Sequence, residues 1–167
     1  EALAKGKRLI GVKEQGAAAG IDFVHGRLRV GEAMAVPLIE AVKQETAEDC
    51  LVIIDAPPGT SCPVVATVKG ADYTLLVTEA TPFGLHDLKI AAGVLRKLEV
   101  PFGVIINRFD LGDKGAENWC RSEEIKVHMK IPFDRKIAEG YAVGMPLIES
   151  SPVLRSSFVS LLEELRS

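Results

Sequence analysis

Short, nearly continuous apolar runs alternate with longer segments of helical period through most of the chain. The runs Leu51-Val52-Ile53-Ile54, Tyr73-Thr74-Leu75-Leu76-Val77 and Phe102-Gly103-Val104-Ile105-Ile106 have strand length and little polar alternation, the signature of parallel strands covered on both faces. Between the second and third runs, Leu85, Leu88, Ala92, Leu95 and Leu98 fall on one stripe. They predict a crossover helix over 83–98, with Pro82 suited to its first turn. A second helix is predicted over 33–47, with Leu38, Ile39 and Val42 inward and Pro37 tolerated early. A third is predicted over 152–165, where Ser151 can cap, Pro152 takes the first helical position, and Leu154, Phe158, Leu161, Leu162 and Leu165 form the buried face. The first thirty residues read differently, as short strands over 9–12 and 21–30 separated by the small-residue stretch Gly16-Ala17-Ala18-Ala19-Gly20. The pattern therefore predicts an α/β fold, a mainly parallel sheet with helices on both faces over 32–167, preceded by a β-rich extension over 1–31.

Composition narrows the function classes. The chain has 167 residues, 47% of them hydrophobic and 26% charged, enough to bury a sizeable core and far from a disordered composition. A formal net charge of -3 gives no electrostatic reason to expect nucleic acid. No apolar run has the length of a membrane span, and Glu1-Ala2-Leu3-Ala4-Lys5 lacks the apolar core of a signal peptide, so the expectation is a soluble, cytoplasmic chain. Cys50, Cys62 and Cys120 are an odd number at wide spacing, which argues against a disulfide framework and a CxxC metal knuckle. The chain begins with Glu rather than Met, and sequence upstream is expected to have been removed.

The chemistry concentrates in Leu51 to Thr60. An apolar run delivering Asp55 at its carboxyl end, followed by Pro57-Pro58-Gly59, meets the needs of a Walker B strand and switch loop. The carboxylate can hold a Mg²⁺-bound water, and the glycine lets a backbone N–H approach a terminal phosphate. The plainer reading is that Asp55 caps a turn and the prolines shape a loop, and Pro-Pro-Gly-Thr tips the balance toward the first.

With Asp55-Ala56-Pro57-Pro58-Gly59-Thr60-Ser61-Cys62-Pro63-Val64, Val77-Thr78-Glu79-Ala80-Thr81-Pro82-Phe83-Gly84-Leu85-His86-Asp87-Leu88, Val104-Ile105-Ile106-Asn107-Arg108-Phe109-Asp110, and Ile131-Pro132-Phe133-Asp134 followed by Gly144-Met145-Pro146-Leu147, the chain resembles the MinD/ParA superfamily of P-loop ATPases. The branch is that of MinD-like ATPases with an inserted ferredoxin domain, often labelled cobyrinic acid a,c-diamide synthase-like. The resemblance implies a protein that binds and hydrolyses ATP with Mg²⁺ and is linked to iron-sulfur or redox chemistry. It implies Asp55 as the Walker B carboxylate, holding the metal through its water, and Gly59 as the glycine sensing the γ-phosphate. Asn107 would read the adenine edge with Arg108 beside it, and Pro132, Phe133 and Asp134 would close over the base. A side-chain amide suits that task because it both donates and accepts, although Asn107 also reads as a strand-end turn residue. A homodimer and an iron-sulfur or redox partner are implied as well.

The departures matter equally. The glycine pairs Gly6/Gly11, Gly11/Gly16 and Gly26/Gly31 have P-loop spacing, but none is followed by Lys-Ser or Lys-Thr, so the phosphate cradle is missing. The family's signature lysine, its switch I aspartate and its ferredoxin cysteines would all lie upstream. The chain thus reads as a C-terminal portion, P-loop NTPase-like but incomplete, inactive alone and holding no cofactor tightly. No GxG pair occurs, which argues against dinucleotide binding. Two other classes stay open: a nucleotide-independent interaction domain, and part of an amide-forming enzyme of the cobyrinic acid a,c-diamide synthase type.

The remaining residues of interest carry plainer expectations. Asp110 follows Asn107 by three, the spacing of a guanine-reading pair, but Arg108-Phe109 replaces Lys-x and Asp110 reads as a surface loop acid. Cys62 reads as a small buried thiol at a helix start, His86-Asp87 as either a pair on a dimer face or solvated helix-start groups, and His25 and His128 as structural or surface residues.

Overall fold

A computed structural model describes residues 7–47 and 49–166. Two compact units are present, Glu1–Ala71 and Asp72–Ser167.

In the first unit, β1 (Gly11–Ala18) and β2 (Ile21–Leu28) form an antiparallel hairpin, in register from Gly11 opposite Leu28 to Ala18 opposite Ile21. The turn is Ala19-Gly20, both with positive φ (52° and 77°), the two-residue geometry whose twist matches the flanking strands. The small-residue stretch is therefore the end of β1 and the turn itself, not a separator between shorter strands. α1 (Val36–Lys43) is shorter than the predicted 33–47. Pro37 must lie in the first turn, since deeper inside it would clash with a preceding carbonyl. At the other end the Thr46 hydroxyl donates to the Lys43 carbonyl at 2.8 Å, diverting the chain from helix. α2 (Cys62–Val68) follows. Lys43 Nζ ties the two helices by donating to the carbonyls of Ala66, Thr67 and Lys69 at 3.0, 2.9 and 2.6 Å, satisfying the open C-terminal end of α2.

Leu51 to Ile54 corrects a central expectation. It forms no strand, and all four side chains are exposed, Ile53 at 82%. A buried parallel strand needs ladder partners and cover on both faces. The hairpin and two short helices of this unit supply neither.

The second unit holds the parallel sheet, β3 (Thr74–Glu79), β4 (Phe102–Asn107) and β5 (Val127–Ile131), in that spatial order. α3 (Pro82–Lys97) connects the first two strands. Thr81 caps it by accepting the Gly84 N–H at 3.0 Å. α4 (Gly115–Ser122), α5 (Arg135–Ala142), α6 (Leu147–Ser150) and α7 (Pro152–Arg166) complete the unit. Successive β4 side chains point to opposite faces. Val104 and Ile106 join Leu88 of α3 and Ala116 and Cys120 of α4 in one cluster, while Ile105 joins Met129, Ile131, Leu154 and Leu161 under α7 in another. The expected α/β sandwich with helices on both faces is thus present, and the antiparallel hairpin is the β-rich N-terminal part.

Between Val104 and Ile105 the β4–β5 register shifts by one residue, with Val127 opposite Val104 and Met129 opposite Ile105. His128 is the extra residue, and such an insertion re-aims a side chain. Its Nε2 lies 2.7 Å from the Tyr73 hydroxyl and its Nδ1 lies 2.9 Å from Glu164 Oε1. His128 is therefore a buried structural residue, with an acidic neighbour 36 positions away that sequence spacing does not reveal.

Candidate functional site

The carboxyl ends of β4 and β5 open into a cleft of about 730 Å³, the place where open parallel sheets bind ligands and a volume in the range of nucleoside-sized pockets. Asn107 and Arg108 form one side. Pro132, Phe133 and Asp134 form another, and Ile137 and Tyr141 of α5 add apolar surface. Five residues singled out in the sequence thus line one cavity, which is mainly apolar with a few polar groups.

Each wall has a local cause. β4 ends at Asn107 because Arg108 adopts φ 50°, which breaks the extended ladder. The Asn107 Oδ1 accepts the Arg108 N–H at 3.1 Å, so the amide is a strand-end turn residue whose Nδ2 has no partner among the described residues. The Arg108 guanidinium reaches Glu79 Oε1 at the end of β3, 3.4 Å away. Asp134 caps α5 by accepting the Lys136 N–H at 2.8 Å, which starts the helix and places Ile137 and Tyr141 on the cleft. That helix was not anticipated. The signal was there in an Asp followed by apolar residues three and seven positions on.

Asp110 is exposed, as a surface loop acid should be, but it is not idle. Its Oδ1 accepts the Phe133 N–H at 2.7 Å, and the Phe109 N–H donates to the Ile131 carbonyl at 3.2 Å. Two bonds therefore join the loop after β4 to the last residue of β5 and the loop that follows it.

Asp55 and Gly59 belong to the first unit. Asp55 is exposed and makes no hydrogen bond or ion pair among the described residues. Gly59 has φ 95° with open space where a Cβ would stand, so any side chain there would be strained by the backbone rather than by neighbours. Cys62 is exposed, not buried, while Cys120 is buried and burial pushes its thiol above the usual range, leaving it protonated and inert. Among the described residues no three His, Cys, Asp or Glu side chains group to hold a metal ion, and no helix is long and apolar enough to cross a membrane.

Comparison with known proteins gives the chemical context. An uncharacterized protein of Methanocaldococcus jannaschii is 34% identical over 124 residues, 73% of this chain and 43% of that protein. A second uncharacterized protein of the same organism is 30% identical over 151 residues, 88% of this chain and 51% of the relative. A protein named iron-sulfur cluster carrier protein, from Pyrococcus horikoshii, is 29% identical over 130 residues, 68% of this chain and 44% of the relative. The chain is similar to iron-sulfur cluster carriers. It spans about half the length of the curated relatives it matches. No protein-family model matches it.

Proposed function

We propose that this chain carries the base-binding and switch portion of a MinD-type ATP site in a protein that handles iron-sulfur clusters. The observation that supports it is the cleft, where Asn107, Arg108 and the Pro132, Phe133 and Asp134 loop meet at the carboxyl ends of parallel strands. Similarity to iron-sulfur cluster carriers supports the link to clusters. In this reading an adenine ring lies against the apolar wall and Asn107 Nδ2 donates to a ring nitrogen. Gly59 presents its N–H to the γ-phosphate, and the phosphate cradle comes from sequence outside these 167 residues.

Asp55 is the residue that would hold Mg²⁺. A lone exposed carboxylate fits that ion, which is usually held by one or two carboxylates and the substrate's own phosphates rather than by an all-protein cage. When bound, Mg²⁺ neutralises charge developing on the transferred phosphoryl group. The cysteines do not fit a resident cluster, with Cys120 buried and no metal-holding group among the described residues. In this proposal the cluster is cargo, held by residues beyond the chain, and a homodimer provides the second half of the carrier.

ATP turnover by the intact gene product tests the reading. Asp55→Asn should lower turnover about a hundredfold or more, the scale on which charge-positioning groups act. The 167-residue chain alone should show none above background. Equal turnover by Asp55→Asn and wild type would overturn it.

A further inference from the structure

Asn107 and Asp110 have the N-x-x-D spacing with which a site can read guanine, an amide paired with a carboxylate that accepts from the base's N1–H and N2–H₂ edge. The structure uses the carboxylate otherwise. Asp110 is not among the residues lining the cleft. It accepts the Phe133 N–H of the Pro132, Phe133 and Asp134 wall at 2.7 Å, across 23 residues of sequence. That length is typical of a strong, charge-assisted bond. Pro132 has no N–H of its own, so the wall's anchorage from this side rests on the Phe133 N–H and on the Phe109 N–H donated to Ile131. On the cleft, Asn107 has one lone pair of its Oδ1 engaged by the Arg108 N–H, and its Nδ2 has no partner among the described residues.

We propose that Asp110 is a positioning residue for base recognition: by holding the Phe133 N–H it sets the loop after β5 as the base-binding wall, and because it is engaged there, outside the cleft lining, it denies guanine a carboxylate. The site then favours a base whose edge accepts from Asn107 Nδ2, donates to the second lone pair of its Oδ1 and demands no anionic acceptor, which is adenine. This inference rests on the nucleotide reading above, and its test separates the two.

The probes are adenosine and guanosine 5′-monophosphates, titrated into the isotope-labelled chain and followed by NMR at the cleft amides. Wild type should bind the adenosine nucleotide at least about fivefold more tightly than the guanosine one. Asp110→Ala should weaken adenosine binding about tenfold, the loss of one charge-assisted bond. Asp110→Asn, whose Oδ1 can still accept, should stay within about threefold. A purely structural role would not give that graded rescue while β3 and β4 resonances stay in place. Unchanged adenosine binding by Asp110→Ala, or equal losses for both variants, overturns the proposal and leaves the nucleotide reading standing. If Asp110→Ala does not fold, the scalar coupling across the Asp110–Phe133 bond in adenosine-saturated wild type decides: its persistence supports the proposal, and its loss, with Asp110 swung toward the base, overturns it. No binding of either nucleotide at the cleft overturns the nucleotide reading and this inference with it.

Discussion

The two units spend apolar residues differently. In the second, strands, helices and interior agree, and two buried clusters flank one parallel sheet. In the first, Leu38 and Val68 are the only buried apolar residues among those described, while Ile21, Phe23 and Ile53 are exposed at 68%, 59% and 82%. The difference teaches that an apolar run specifies a strand only where the same chain offers ladder partners and covering helices. Tyr73 to Val77 and Leu51 to Ile54 read alike in sequence. One found β4 and two layers of helix, and the other found nothing to pair with among the described residues of its unit.

The largest expected effect makes that comparison quantitative. Leu88, 3% exposed between α3 and the sheet, should cost about 2–5 kcal/mol on truncation to alanine, as cavity-forming changes do. Ile53→Ala should change stability by no more than about 0.5 kcal/mol, as at ordinary exposed positions. Urea unfolding of both variants measures this. Native-state hydrogen exchange adds a second readout, with the amides of Val104 to Ile106 protected and those of Leu51 to Ile54 exchanging freely. A cost for Ile53→Ala comparable to that for Leu88→Ala would break the comparison, because it would mean the run is buried in solution.

How far the fold was legible follows the same line. β3, β4, α3 and α7 emerged within a residue or two of their predicted limits, because each periodic stripe lies against an interior that the second unit itself provides. β5 escaped notice. Its sequence Val127-His128-Met129-Lys130-Ile131 reads as a polar-interrupted segment, and the bulge at His128 sends Val127 and Met129 to opposite clusters, breaking the period of two. α4 and α6 offer too few apolar positions to establish a helical period, and α5 carries only the Asp134 cap with Ile137 and Tyr141 as its signal. For the site, resemblance named Asn107, Arg108 and the Pro132, Phe133 and Asp134 loop, and the cleft gathers them. Ile137 and Tyr141 were missed with the helix that carries them. Asp110 was seen only as a loop acid, since a bond to a backbone N–H 23 residues away leaves no trace in local spacing.

A second contrast uses two glycines. A Cβ at Gly103 in β4 would stand 2.4 Å from the His128 ring and 2.6 Å from the Tyr73 hydroxyl, whereas one at Gly16 in β1 would meet nothing within 4 Å. Gly103→Ala should therefore destabilise the second unit by about 1–3 kcal/mol, the cost of overpacking. Gly16→Ala should be neutral or stabilising by up to about 1 kcal/mol, through the lost freedom of the unfolded chain. Thermal unfolding of the two variants reads the difference. If Gly103→Ala were neutral, the packing of Tyr73 and His128 around β4 would be looser than the structure gives.

The smallest effect sharpens the comparison electrostatically. Glu164 of α7 pairs with Lys126 Nζ and stands beside His128, which fastens the last helix to β5. The hydrogen bond from Lys126 holds the Glu164 carboxyl below its ordinary range, with His128 adding to the effect and burial opposing it, and the same hydrogen bond raises Lys126. A carboxyl lowered in the folded state contributes stability that is present above its unfolded value and lost as pH falls through the folded one. A raised lysine contributes stability that is present below its unfolded value and lost as pH rises through the folded one. The stability difference between wild type and Glu164→Gln should accordingly be a low plateau around neutrality that declines toward both acid and alkali. Glu14 of the hairpin is also lowered, by His25 and then Arg27. Because Glu14 belongs to the first unit, Glu14→Gln should leave the acid transition of the second unit where it was. Urea unfolding at a series of pH values, followed at Trp119 beside the α3–α4 cluster, measures both variants. A pH-independent difference for Glu164→Gln would show that Lys126 and Glu164 do not pair in solution, and an equal effect from Glu14→Gln would show that the two units unfold as one.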